Sequence, residues 1–241
     1  MAGHSHWAGI KHRKAAQDAK RSKYFSKFSK AIMIAAREGG GDPEKNLKLR
    51  YAIDKAKAGN MPNDSIDRAV KKATGELGNI EYSEILYEGY GPGGVAVLAE
   101  VVTDNRNRTA PEMRKLFSVC GGNLANPGAV SFMFDKKGLI AVASDGADFD
   151  AVFEVAAEAG AEDVVAGDDQ IEITTSPQAL EPVRQALLAK GWTLTAAELS
   201  WVPQNTVAPG ADDLPRVEKL LSDLDDHDDV QEVYSNLQLA E

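Results

Sequence analysis

Residues 138–200 carry a complete order of elements inside a chain whose flanking segments are incomplete. Strand (139–143), helix (149–159), strand (162–166), strand (170–175), helix (177–190) and strand (193–200) follow one another, the βαββαβ order of a ferredoxin-like unit. The segment before it, 80–130, reads as two strands, "EYSEILYEG" and "GVAVLAEVVT", and one helix. That helix is expected to start at Thr109 as N-cap, with Pro111 in its first turn and Met113, Leu116, Phe117 and Cys120 on its buried face. The segment after it, 205–241, supplies one helix (Leu214, Val217, Leu220, Leu221, Leu224) and one strand, "VQEVYSNLQL". Neither flank can cover its own apolar surface. The two flanks are therefore expected to form one sheet-and-helix layer pair, into which the central unit is inserted.

Three short amphipathic helices precede this. Phe25, Phe28, Ile32 and Ala35/Ala36 make one stripe over 22–38, and Lys20, Lys23, Lys27, Lys30 and Arg37 fall opposite it at 100° per residue. "GGG" (39–41) ends that helix, and Asp42-Pro43 reads as the N-cap and first position of the next. Leu49, Ala52, Ile53 and Ala56 mark the second helix, and Ile66, Ala69, Val70 and Ala73 the third, with "GNMP" (59–62) between them. Residues 1–20 have no such stripe and are expected to be a flexible basic arm ordered by a partner. The fold class expected is α+β: an N-terminal three-helix bundle followed by two α/β (ferredoxin-like) domains, the last inserted into the middle one. The boundaries are 1–20 for the arm, 21–78 for the bundle, 79–134 plus 203–241 for the split domain, and 135–202 for the insertion.

Charge is divided unevenly along the chain. Residues 1–75 hold 17 Lys/Arg and 7 Asp/Glu, a net of +10, whereas 76–241 hold 10 and 30, a net of −20. From Lys11 to Lys30 there are eight basic residues and one acid, Asp18. A solvated helix would mix the signs. Segregation points to a polyanionic partner for the basic part. Cys120 is the one cysteine, which excludes an intrachain disulfide and argues against a cysteine metal site. The apolar runs, such as "AIMIAA" and "VAVLAEVV", are too short for a membrane span, and no apolar stretch follows the basic start as in a secretory signal. A cytoplasmic protein without membrane partner is expected.

The motifs give little chemistry. "GYGPGG" (89–94) fits G-x-G-x-x-G, but a strand follows it, not a helix, and Pro92 removes an N–H where a phosphate would want donors. It reads as a wide hairpin turn, with Tyr87 and Tyr90 beside it as packing residues or base-stacking candidates. "DNRNRT" (104–109) places Asn105, Arg106 and Arg108 at a strand end ahead of a helix N-terminus. Arginine forks suit phosphate and carboxylate equally, so these either meet an anionic partner or neutralise nearby acids. His4 and His6 lack further ligands, and "DLDDHDD" (223–229) lacks the glycine and spacing of a calcium loop. The latter reads as a solvated helix end. The remaining histidines, His12 and His227, have no Ser or Cys nucleophile in evident partnership. No catalysis, cofactor, metal or small-molecule substrate is expected.

"MAGHSHWAGIKHRKAAQDAKRSKYFSK", "NMPNDSIDRAVKKATG", "YEGYGPGGVAV", "DNRNRT" and "GGNL…MF" occur in an order that resembles the YebC family of gene-expression regulators, with "WVP" and "VYSN" continuing it to the end. Leu47 and "LANPGAV" depart from the family pattern. The resemblance implies three domains, a cytoplasmic or organellar location and no known catalysis. It also implies one of two roles. Members have usually been described as DNA-binding transcriptional regulators, while others, a mitochondrial translational activator among them, look like ribosome-associated factors that help synthesis through proline-rich stretches. The residues themselves are compatible with DNA or RNA. A Lys/Arg/His arm carrying Trp7 suits folded RNA, and no helix pair shows a persuasive DNA-recognition turn. The expected partner is thus ribosomal RNA or DNA, with the ribosome favoured. The candidate contacts are His6, Trp7, Lys11, His12, Arg13, Lys14, Lys20, Arg21, Lys23, Lys27, Lys30, Asn105, Arg106 and Arg108. Two other classes remain: a scaffold for an acidic protein, and an enzyme using carboxylate chemistry.

Overall fold

A computed structural model of the chain describes residues 21–75, 82–167 and 169–238. Three helices come first: α1 (Arg21–Gly39), α2 (Leu47–Ala58) and α3 (Asn63–Ala73). Their stripes meet in one apolar cluster of Phe28, Ile32, Ala35, Leu49, Ala56, Ile66 and Ala69, with Tyr24 and Met61. Asp42-Pro43 does not start α2, contrary to the sequence expectation. Asp42 instead closes a turn by accepting the Glu44 N–H at 3.0 Å. The cap is Asn46, which is buried, accepts the Leu49 N–H at 3.1 Å and donates to the carbonyls of Ala35 and Gly40. One side chain thus starts α2 and satisfies the end of α1, which Asp42 at the surface could not do.

The split sheet follows. Strands β1 (Ser83–Tyr90) and β2 (Ala96–Thr103) pair antiparallel over their whole length, joined through a turn at Pro92–Gly94. Gly93 and Gly94 have φ of 67° and 77°, a left-handed conformation that glycine adopts without a Cβ clash. The glycine-rich motif is therefore a hairpin turn. Helix α4 (Arg106–Val119), the two-residue strand β3 (Asn123–Leu124), helix α7 (Leu214–Asp225) and strand β8 (Val230–Ser235) complete the layer pair. The sheet order is β3-β1-β2-β8, with all neighbouring strands antiparallel. The strand supplied from beyond the insertion thus lies directly beside β2. β3 is too short to leave a periodic signal in sequence. Val97, Ala99, Val101, Met113, Phe117, Val217, Leu220 and Leu224 fill the space between sheet and helices. Gly89 has no room for a side chain: a Cβ would stand 2.5 Å from the Phe117 ring and 2.6 Å from the Asn123 carbonyl.

Residues 134–202 form a separate compact unit, and the remaining described residues form the other. Its elements are β4 (Phe134–Ala143), α5 (Phe149–Glu158), β5 (Ala161–Ala166), β6 (Gln170–Thr175), α6 (Leu180–Ala189) and β7 (Leu194–Pro203). The sheet order β5-β6-β4-β7 is that of a ferredoxin-like fold. Ile140, Val142, Ile171 and Ile173 are buried, as are Val152, Ala156, Leu180, Val183 and Leu187 on the helices. The fold class is α+β, with N-terminal helices followed by two four-stranded sheets carrying helices.

Candidate nucleic-acid interface

The basic face of α1 is not open to solvent as the sequence pattern suggested. Lys27 is 3% exposed, and its ammonium donates to the Asp225 backbone carbonyl and stands 3.6 Å from the Asp225 carboxylate. Burial pulls its pKa below the ordinary lysine value, against the opposing pull of Asp225 and Glu232. Tyr24 donates to the same carboxylate at 3.0 Å. Lys30 donates to Asp229 Oδ1 at 2.7 Å and to the Asp228 carbonyl at 2.9 Å. Lys23 stands 3.8 Å from Asp228. The Asp225–Asp229 stretch is correspondingly not a merely solvated helix end. It is the acidic counterpart of α1, supplied from the far end of the chain. Two further ion pairs join the bundle to the sheet, Lys48 with Glu84 at 2.8 Å and Lys55 with Glu232.

Asp229 is the hub of this arrangement. Its side chain is 4% exposed. It receives Lys30 on one oxygen, and Arg108 at 2.5 Å and Thr109 at 2.9 Å on the other. Burial alone would raise its pKa, but the hydrogen bonds from Lys30, Arg108 and Thr109 outweigh burial and hold it well below the usual carboxylate range. His227 Nδ1 accepts the Asp229 N–H at 3.1 Å, and its Nε2 lies 3.0 Å from Glu112.

The local reason is in "DNRNRT". Asn105 is the N-cap of α4 and accepts the Arg108 N–H at 3.1 Å. This displaces Thr109, the cap expected from sequence, into the first turn, where its hydroxyl is buried against Thr103 and Asp229. Arg108 takes the neutralising role of the two left open, facing Asp229 and, at 3.3 Å, Asp104. Asn105 serves the helix start. Arg106 is exposed. His6, Trp7, Lys11, His12, Arg13, Lys14 and Lys20 lie outside the described residues, as does the Arg21 side chain.

Sequence reasoning missed Glu88. It is 4% exposed and accepts the N–H groups of Gly128, Val130 and Ser131 at 2.7–2.8 Å. Burial works against its ionised form, yet these donors bring its pKa below the usual value. Tyr90 donates to the Ala129 carbonyl at 3.0 Å, so both side chains hold the 125–131 loop. Only the inward alternation of a glutamate in "LYEGY" hinted at this. Among the described residues no three His, Cys, Asp or Glu side chains gather as a metal site would require, and no helix is long and apolar enough to cross a membrane.

A family model described as the N-terminal domain of TACO1/YebC proteins matches residues 5–76, and one described as their second and third domain matches residues 82–237. A "probable transcriptional regulatory protein" of Trichlorobacter lovleyi is 53% identical over 240 residues, spanning 100% of this chain and 97% of its own. A protein of Geobacter sulfurreducens with the same description is 52% identical, with the same coverage. The crystal structure of a conserved hypothetical protein from Aquifex aeolicus matches with a TM-score of 0.87 at 45% identity, covering 98% of each chain. Matched in order by both models, and sharing about half its residues with relatives along their full length, the chain belongs to the TACO1/YebC family.

Proposed function

We propose that this chain is a non-enzymatic, nucleic-acid-binding regulator of gene expression whose target is ribosomal RNA, acting as the resemblance implies in translation through proline-rich stretches. The observation that carries the nucleic-acid reading is what remains of the basic run once the fold is formed. Lys23, Lys27 and Lys30 are answered by Asp225, Asp228 and Asp229 inside the chain. The phosphate-contacting charge then falls on Lys11, Arg13, Lys14, Lys20 and Arg21, which have Asp18 as their one acidic neighbour in sequence. Trp7 and His12 in the same stretch supply rings for unstacked bases, which folded RNA offers and duplex DNA does not.

The names of the relatives favour a second reading, a DNA-binding transcriptional regulator. Co-sedimentation with ribosomes and a duplex-shift assay at the same salt distinguish the two. Removal of residues 1–20 should abolish most binding while leaving the helices and sheets folded. Trp7→Ala with His12→Ala should weaken ribosome association much more than duplex binding. Sequence-selective duplex binding with unchanged ribosome association returns the protein to the transcriptional reading. Binding to both that survives loss of residues 1–20 removes the arm from the mechanism.

A further inference from the structure

Residues 138–183 hold eleven Asp/Glu and no Lys, Arg or His. Within them "DFDAVFEVAAE" (148–158) supplies the N-cap and the whole of α5. Val152 and Ala156 are buried beneath the helix, and Asp148 caps it by accepting the Ala151 N–H at 3.0 Å. Two rows run along its outer side. Phe149, Phe153 and Ala157 recur every four residues. Asp150, Glu154 and Glu158 follow each of them by one residue, so the acids run beside the rings about 100° further round. The two ring centroids are 6.2 Å apart, and Phe153 is 49% exposed. The three acids are exposed, and among the described residues none of their carboxylates has a hydrogen bond or an ion pair.

The acid row works against the helix that carries it. Like charges four residues apart repel, and Glu158 sits at the end where the helix dipole disfavours an anion. No cation lies on α5 to offset them. The other cations of the inserted unit do not answer the row either. Lys137 faces Glu162, Arg184 faces Glu181, and Lys136 lies 5.5 Å from the centre of the Trp201 ring. Lys190, exposed just beyond α6, is a single charge against three. An i,i+4 phenyl pair steadies a helix slightly, which accounts for the pair but not for its exposure beside unanswered acids. One kind of occupant relieves both rows. A Lys or Arg side chain lays its stem along an aromatic surface, sets its cation over a ring, and reaches a carboxylate one residue round. Nucleic acid and anionic membrane are repelled by the same acids.

We propose that the outer face of α5, Phe149 and Phe153 beside Asp150, Glu154 and Glu158, is a docking site for a Lys/Arg-rich segment of another protein. Charge complementarity selects the occupant, and the rings supply the apolar contact that a purely solvated acid row lacks. The site takes a cation where the proposed nucleic-acid contacts take an anion, so either reading can fail without the other.

The test uses the full chain and a labelled nona-arginine peptide, followed by fluorescence anisotropy at low and at physiological salt. Changing Asp150 to Asn and Glu154 and Glu158 to Gln should lower affinity about tenfold and leave the remaining binding less sensitive to salt. These residues are exposed and mutually repelling, so the helical circular dichroism of this variant should equal or exceed that of the parent. Phe153→Gln should weaken binding about two- to fivefold, and Phe153→Trp, which keeps a ring, should bind at least as well as the parent. Asp145→Asn, Asp212→Asn and Glu218→Gln together make the same change of charge at exposed positions off this face and should have little effect. Equal weakening by the two triple variants, with Phe153→Gln silent, would reduce the effect to overall charge and overturn the site. A parent chain that does not bind the peptide at low salt overturns it as well. Tighter peptide binding after changing Lys11, Arg13, Lys14 and Lys20 to Gln would make the chain's own basic segment the occupant and overturn the assignment to another protein.

Discussion

Lys30 and Asp229 are 199 residues apart in sequence and form a hydrogen-bonded ion pair of 2.7 Å. The Lys30 side chain is 14% exposed and that of Asp229 4%. The pair joins the first helix to the turn that leads into the last strand, and Arg108 and Thr109 complete the shell around the carboxylate. A lone buried carboxylate would be strongly unfavourable, and it is the convergence of donors that makes the site tolerable. The relation also bears on function. It withdraws part of the basic helix from any external anion, so that under the proposed nucleic-acid reading the contacts fall to the residues ahead of it.

Removing the carboxylate should therefore expose the cost of the donors around it. Asp229→Ala leaves the Lys30 ammonium largely buried with no counter-charge there, holding only the Asp228 carbonyl, and takes from the Thr109 hydroxyl one of its three partners. Breaking a fully buried pair costs about 3–5 kcal/mol. Because Arg108 can turn to solvent, a loss of about 2–3 kcal/mol is expected in urea denaturation. A change below about 1 kcal/mol would show that the hub contributes little to stability.

The same carboxylate gives a signed pH dependence. Its folded-state pKa lies below its unfolded value. Such a group contributes stability that is fully present above the unfolded value, about 4, and is lost as pH falls below it toward the folded value. The stability of the parent should decline in urea titrations from about pH 4 downward. Asp229→Asn should start less stable and decline less steeply over that interval. Parallel curves for the two proteins would assign acid sensitivity to other carboxylates, of which Glu88 is the first candidate.

Lysines within one basic run should separate into two classes. Lys27→Gln with Lys30→Gln should reduce folding stability and leave the salt slope of nucleic-acid binding almost unchanged. Changing Lys11, Arg13, Lys14 and Lys20 to Gln should do the reverse, flattening the slope by up to ~3–4 for a duplex and up to ~3 for a single strand. Equal salt slopes for the two variants would mean that α1 opens its ion pairs when it binds.

Glu88→Gln should release the 125–131 loop. A neutral amide oxygen cannot replace two carboxylate oxygens that receive three N–H groups. Faster hydrogen exchange at Gly128, Val130 and Ser131, and faster proteolysis within the loop, are the expected readouts, with a stability loss of about 1–3 kcal/mol. Unaltered exchange at these three amides would show that the loop holds itself.

The sequence by itself determined those features whose cause is local. The three helical stripes, the hairpin at "GYGPGG" and the βαββαβ order follow from side-chain period and from glycine and proline chemistry, which act within a few residues. The incompleteness of 80–130 and 205–241 likewise led to a shared sheet, and β8 does lie against β2. The tertiary structure alone decided the fate of the charges. Read alone, "KRSKYFSKFSK" points to an external polyanion and "DLDDHDD" to a solvated helix end, because whether a charge meets water, a partner or a counter-charge of its own chain depends on what packs across it. Here α1 and the Asp225–Asp229 turn pack together, so the two runs answer each other. The cap of α4 moved from Thr109 to Asn105 for the same reason. Both residue types can cap a helix; Asn105 does so here, and the Thr109 hydroxyl is taken up by Asp229, brought from the far end of the chain, together with Thr103 and the Asn105 carbonyl.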